Sequence, residues 1–170
     1  MFMTAYKGLE RLLEWVTILL MVSLSVVVIV AVAYRLAGNS LSWYDEVAAV
    51  QLAWVTYYGA ALAALKRNHI GFDSVLLAIP MPARMVAVVI AEAAVLGFFA
   101  VMTWAGLEVL EVLEGSTLIS LTWVPVQLTQ SVIPIGGALF IVAELLSLPV
   151  YWSATARGVS FEHPEVEEEA

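Results

Sequence analysis

Four long apolar runs, at 15–33, 47–65, 85–107 and 124–150, take up about half of this 170-residue chain. Each is framed by charge or by tryptophan. A bilayer core of about 30 Å needs about 20 consecutive apolar residues in a helix. All four runs meet or nearly meet that length. Backbone polar groups in lipid must be paired internally, so a spanning segment is a helix or part of a closed barrel. Barrel strands alternate in polarity over about 10 residues. These runs are continuous and about twice as long, which predicts helices.

Composition agrees: apolar residues are 62% of the chain, against about 45–50% in soluble domains. The expected fold is therefore an all-α membrane protein of four transmembrane helices. A cytoplasmic N-terminus (1–11) leads into a four-helix domain (12–150) with spans at about 12–33, 47–65, 85–107 and 124–150. Residues 151–170 form an acidic tail. Five acids (Glu162, Glu165, Glu167, Glu168 and Glu169) give that tail the character of a solvated, disordered segment. The net charge of −8 thus comes largely from one end. With only seven Lys and Arg, and no basic patch, nucleic acid is not an expected partner. The chain has no cysteine, which excludes disulfides, thiolate metal sites and cysteine nucleophiles.

The basic residues orient the spans. Lys7, Arg11, Lys66, Arg67, Arg84 and Arg157 fall on one face of a four-span topology, and only Arg35 on the other. Basic loops stay cytoplasmic, so both termini are expected inside, with connections 34–46 and 108–123 outside. Trp15 and Trp152 fall at inner ends, and Trp43, Trp104 and Trp123 at outer ends, as an aromatic belt requires. Trp54 lies in the middle of the second span, either as a filler or as an anchor between helices. The first run is too long for the 7–15-residue apolar core of a cleaved signal and is read as a retained anchor.

The connections carry most of the polar residues. Gly38 and Asn39 favour a turn. Ser42 is placed to cap the second helix, with Asp45 and Glu46 in its first turn. Trp43 and Tyr44 beside those acids also suit the rim of a protein interface. In the second span Gly59 and Ala63, and Ala60 and Ala64, stand four apart, a spacing that lets helices approach closely in lipid. The inner connection holds Arg67, His69 and Asp73. Its apolar second half, 74–82, fits an interfacial helical segment on the cytoplasmic face. The fourth span carries Pro134 with Gly136 and Gly137, which predicts a kinked packing helix.

Glu92 and Glu144 lie inside the third and fourth spans, each roughly 8–12 Å from the cytoplasmic end at 1.5 Å per residue. Intramembrane acids usually have a partner. Three roles are open: pairing with Lys66, Arg67 or Arg84, a polar contact with another subunit, or carriage of a proton or cation. Catalysis is not expected. The spans offer no histidine or aspartate to serve as base or metal ligand, and nothing suggests a metal or cofactor.

In order along the chain, several features resemble the small membrane subunit of tripartite ATP-independent periplasmic (TRAP) transporters, the DctQ-type family. These are Trp43-Tyr44-Asp45-Glu46 opening the second span, and Lys66-Arg67-Asn68-His69-Ile70-Gly71-Phe72-Asp73 closing it. Leu121-Thr122-Trp123 then leads into Val132-Ile133-Pro134-Ile135-Gly136-Gly137. The resemblance covers about 9–149. Its one departure is Asp45, where many members carry a glutamate pair. It implies a non-catalytic permease subunit, without cofactor, in a bacterial or archaeal inner membrane. Its partners would be a large multi-span permease subunit, a periplasmic substrate-binding protein and membrane lipid. Transport would be symport of an organic acid on an ion gradient, typically sodium. The small subunit would brace the scaffold of the large one. On this resemblance Trp43, Asp45, Glu46 and Trp123 suit contacts on the outer face. Arg67, His69 and Asp73 would fix the inner connection. Glu92 and Glu144 would mate with the large subunit, and Trp54, Gly59, Ala63 and Pro134 are further candidates for a partner interface. The alternative is a self-sufficient four-helix exporter, a homodimer working through a membrane glutamate, a role that Glu14 suits poorly because it stands at the inner boundary beside Glu10 and Arg11.

Overall fold

A computed structural model describes residues 2–67 and 79–157, with side chains from Tyr6 onward. The helices are α1 (Phe2–Leu36), α2 (Tyr44–Leu65), α3 (Met81–Val112), the short α4 (Val126–Gln130) and α5 (Val132–Arg157). Four segments are long and apolar enough to cross a membrane: Tyr6–Leu36, Tyr44–Leu65, Met81–Val112, and α4 with α5 as Val126–Arg157. This is the expected all-α fold. His69, Asp73 and most of the 74–82 segment lie outside the described residues, as does the acidic tail beyond Arg157.

The helices outrun the apolar segments that announce them. The first begins ten residues before position 12, and the third runs from 81 to 112 rather than 85 to 107. Helical hydrogen bonding continues past the lipid boundary wherever the flanking residues favour it, so hydropathy marks the membrane core and not the helix ends.

The four spans form an open row in the order α1, α2, α5, α3. The extensive contacts are α1 with α2, α2 with α5, and α3 with α5. The last span is accordingly the interior one. Its most apolar window is 44% buried, against 6% for the first and third spans. Leu13, Ala61, Ala64, Leu65, Phe140 and Ala143 make the core. Phe99 stacks on Phe140 with centroids 3.6 Å apart.

Small residues allow this closeness, though only partly the predicted ones. A β-carbon added at Gly136 would stand 2.7 Å from Tyr57 Cβ on α2. At Gly137 it would collide with Thr103 on α3, and at Gly106 it would reach Pro134 Cδ at 3.0 Å. In lipid, where apolar burial gives helices little drive to associate, such approach is what holds them together. Ala64 is fully buried and Ala60 packs against the core, whereas a β-carbon at Gly59 would meet nothing within 4 Å. Among the described residues nothing packs against Gly59.

Pro134 sits in the first turn of α5 and has no N–H to offer the carbonyl of Gln130, four residues back. The last span breaks there. Ser131 N–H still bonds Gln127 O, and Ile135 N–H bonds Ser131 O, so the chain turns and continues. The expected kink is thus a division into α4 and α5. The Ser42 cap does not form: α2 starts after Trp43 with no side-chain cap. Asp45 and Glu46 do occupy its first turn, and Gly38 takes the predicted turn at φ +83°.

Candidate functional site

Polar side chains join the helices at both ends of the row. At the end where α2 begins, Glu46 reaches across to the connection that follows α3. Its carboxylate accepts the Ile119 and Ser120 N–H groups, each at 2.8 Å, and also the Ser120 hydroxyl. An acid in the first turn of a helix is favoured by the helix dipole; here the same acid caps a loop. That loop is a tight turn in which Leu118 N–H bonds Val124 O and Val126 N–H bonds Ser116 O. Gln127 Nε2 donates to Leu110 O at 2.8 Å, tying α4 to the end of α3. Trp54 Nε1 donates to Thr129 O at 3.0 Å, tying α2 to α4. The mid-span indole is therefore an anchor between helices. Beside it an apolar groove of about 300 Å³ runs between α2, α4 and the loop, lined by Val47, Val50, Trp54, Leu118, Trp123 and Leu128 among others.

At the opposite end, Arg67 closes α2. It has φ +52°, in the left-handed region, which costs a residue with a β-carbon about 1–2 kcal/mol. That conformation turns its side chain back toward the row. Arg67 Nη1 lies 2.7 Å from Glu92 Oε1 on α3 and 2.7 Å from Glu144 Oε1 on α5. Its Nε donates to Ser147 Oγ at 2.8 Å, and Nη2 to the backbone carbonyl of Glu144 at 3.4 Å. The guanidinium also sits 4.4 Å from the Tyr151 ring centroid. The three charged side chains are 15%, 12% and 6% exposed for Arg67, Glu92 and Glu144. A planar fork with five donors can serve several acceptors at once. Here it binds α2, α3 and α5 together at one point. Of the roles open to the two acids, pairing is realised, and of the three candidate cations Arg67 takes both.

Lys66 turns the other way, to Glu14 and to Glu10 (3.4 Å) on α1. Its ammonium is held above the usual lysine range, chiefly by the Glu14 hydrogen bond. Tyr6 donates to Leu65 O at 3.0 Å. Arg84 reaches Thr155 O on α5 and Ile79 O at 3.2–3.3 Å. Consecutive residues at the end of α2 thus staple opposite flanks, Lys66 to α1 and Arg67 to α3 and α5.

Of the residues singled out by sequence, Glu46, Trp54, Arg67, Glu92, Pro134 and Glu144 all hold this chain together. Asp45 is exposed, and Trp123 is 79% exposed. Trp43, Gly59 and Ala63 are half-buried. Sequence reading missed Ser120 and Ser147, because a serine bonded to a distant carboxylate or guanidinium carries no local pattern. It also missed Gly106, whose contact with Pro134 exists only between helices.

No curated protein sequence matches this chain. The family model described as tripartite ATP-independent periplasmic transporters, DctQ component, matches residues 24–152. That range takes in α2, α3, α4 and nearly all of α5, with both polar joints. Four membrane-length helices and this match make the protein a multi-pass inner-membrane protein, and the chain belongs to the DctQ family, the small permease component of the TRAP transporters.

Proposed function

We propose that this small TRAP subunit is a non-catalytic brace for the scaffold of a large multi-span permease subunit. The complex would import an organic acid delivered by a periplasmic binding protein, with an ion gradient, sodium foremost, as the driving force. The observation that carries this reading is the Arg67–Glu92–Glu144 joint. A subunit that moves substrate needs intramembrane polar groups free to change partners. Here the buried charges in the spans are spent on one another, and they weld three helices into one body.

The open row supports a brace as well. Its outer members leave long apolar faces uncovered: Trp15, Leu19 and Ile29 on α1, and Ile90, Phe98 and Trp104 on α3. The Gly59–Ala63 step on α2 would admit a close-packed helix from the large subunit. Trp43, Asp45 and Trp123 form the surface we assign to contacts outside the membrane. The charge distribution would place the Lys66 end in the cytoplasm and the Glu46 end outside. His69 and Asp73 would fix the connection between α2 and α3.

The exporter alternative needs a membrane glutamate free to exchange partners; Glu14 is paired with Lys66, and Glu92 and Glu144 with Arg67. The test is a tagged pull-down from the native membrane in mild detergent, with mass identification of companions. A stoichiometric large permease subunit is the expected result. A homodimer with no companion would overturn the reading.

A further inference from the structure

The apolar groove at the Glu46 end has the dimensions of one hydrocarbon chain. Its α2 wall runs from Val47 to Trp54, about 10 Å of helix at 1.5 Å per residue. Spread over that length, the volume of about 300 Å³ has a cross-section of roughly 30 Å². A helix is about 10–12 Å across and needs more than twice that area, so a partner's helix does not fit. The surface inside the groove is wholly apolar. Its walls are fixed in advance: Glu46 holds the loop at the Ile119 and Ser120 N–H groups, and Trp54 Nε1 holds α4 through Thr129 O. Leu128 and Trp123 on its rim are 58% and 79% exposed, so it is open along one side. The residues outside the described set join the chain at the Arg67 end, away from the groove.

A positive charge stands at its mouth. Arg35 is the one basic residue in connections 34–46 and 108–123. Its Nη2 donates to the Tyr44 hydroxyl at 2.9 Å, and its guanidinium lies 5.9 Å from the centroid of that ring. Tyr44 precedes Val47 by three residues, so the two are neighbours on the surface of α2. From Tyr44 to Trp54 is about 15 Å along the helix, half of a hydrocarbon core of about 30 Å. With Trp54 at the midplane, Arg35 is level with the headgroups. Among the described residues no carboxylate forms an ion pair with it. Glu46 is spent on the loop. Asp45 follows Tyr44 by roughly 100° around the helix, away from the side of Val47, Gln51 and Trp54.

We infer that this groove binds one phospholipid, with its phosphate on Arg35 and one acyl chain laid along the groove toward Trp54. The guanidinium fork offers paired N–H donors to phosphate oxygens. The acyl chain asks for no hydrogen bond, and the walls provide none. The lipid fills the space that α2, α4 and the loop enclose but no side chain of theirs occupies.

The test adds phosphatidylglycerol to the full chain in detergent and counts retained lipid by native mass spectrometry. One lipid per chain should survive removal of the detergent. Arg35→Gln should weaken retention about tenfold, the value of a charged hydrogen bond. Val50→Trp should abolish it by filling the groove while Arg35 is intact. Val101→Trp, at a 62% exposed position on α3, should leave it unchanged. Loss with Arg35→Gln alone would mean a surface charge without a groove, and loss with Val50→Trp alone an apolar slot for another subunit's side chain. Either overturns the phospholipid site, as would equal loss with Val101→Trp or displacement of the lipid by inorganic phosphate. Should Val50→Trp fail to fold, the wild type decides. Phosphatidylglycerol brominated on its acyl chain, dilute in phosphatidylcholine nanodiscs, should quench Trp54 emission, read as the difference between wild type and Trp54→Phe. Unquenched Trp54 would overturn the site.

Discussion

Arg67 holds Glu144 twice, through its carboxylate at 2.7 Å and through its own backbone carbonyl at 3.4 Å. A side chain that reaches both ends of one residue fixes position and rotation of the helix that carries it. The same guanidinium holds Glu92, so α3 and α5 are set in register by a residue that belongs to neither.

Arg67→Ala should be the most damaging single substitution in the described chain. It strands two buried carboxyls, and removing one partner from a buried pair costs about 3–5 kcal/mol. Melting in detergent should fall sharply. Arg67→Lys should recover only part of the loss, because a point charge cannot span the four acceptors that the fork serves. Full recovery by lysine would show that charge alone matters there.

Glu46→Gln should act locally. The loop from Leu113 to Pro125 loses a charged acceptor for two N–H groups and a hydroxyl. Amide exchange should quicken at Ile119 and Ser120 and stay slow in the middle of α5. Unchanged exchange at those two amides would refute the contact.

Gly136→Ala should cost about 1–3 kcal/mol, because its β-carbon meets the Tyr57 side chain at 2.7–3.0 Å and cores resist added bulk. Gly59→Ala places the same group in open space and should leave the melting temperature of the isolated chain unchanged or slightly raised. If Gly59 receives a helix of the large subunit, that second substitution should instead weaken recovery of the complex. The pair of measurements separates packing within the chain from packing against a partner.

Trp54→Phe keeps one aromatic ring and removes the N–H that bonds Thr129 O, together with the five-membered ring that carries it. A loss of about 1 kcal/mol is expected, with faster amide exchange in α4. An effect as large as that of Arg67→Ala would mean that ring packing matters more than the hydrogen bond.

The Lys66 pair should respond only to strong base. Its folded value is raised, so its contribution is complete below the ordinary lysine value of about 10.4 and is lost as pH rises through the higher folded one. The difference in melting temperature between wild type and Lys66→Gln should therefore be flat across neutral pH and shrink only above about pH 10.4. A difference that already changes near neutrality would point to another titrating group.

Much of this architecture is written along the chain in one dimension. Continuous apolar runs must be helices because lipid offers their backbones no other partner. Their number and their charged ends follow from the sequence, as do the acids in the first turn of α2 and the break near Pro134. The order of Trp43-Tyr44-Asp45-Glu46 and the later segments also carried the family. Which helix lies inside did not follow. These spans are apolar all round, so no stripe marks a buried face as it would in water. Only the tertiary structure set α5 between α2 and α3, through Gly136 and Gly137. The same holds for the charges. Sequence placed Glu92 and Glu144 in the spans with Lys66, Arg67 and Arg84 as possible partners. The choice of Arg67 rests on a left-handed turn at the end of α2, which aims one basic residue at α3 and α5 while its neighbour Lys66 pairs with α1. Residues adjacent in sequence can face opposite flanks of a helix row, and only the folded backbone says which faces which.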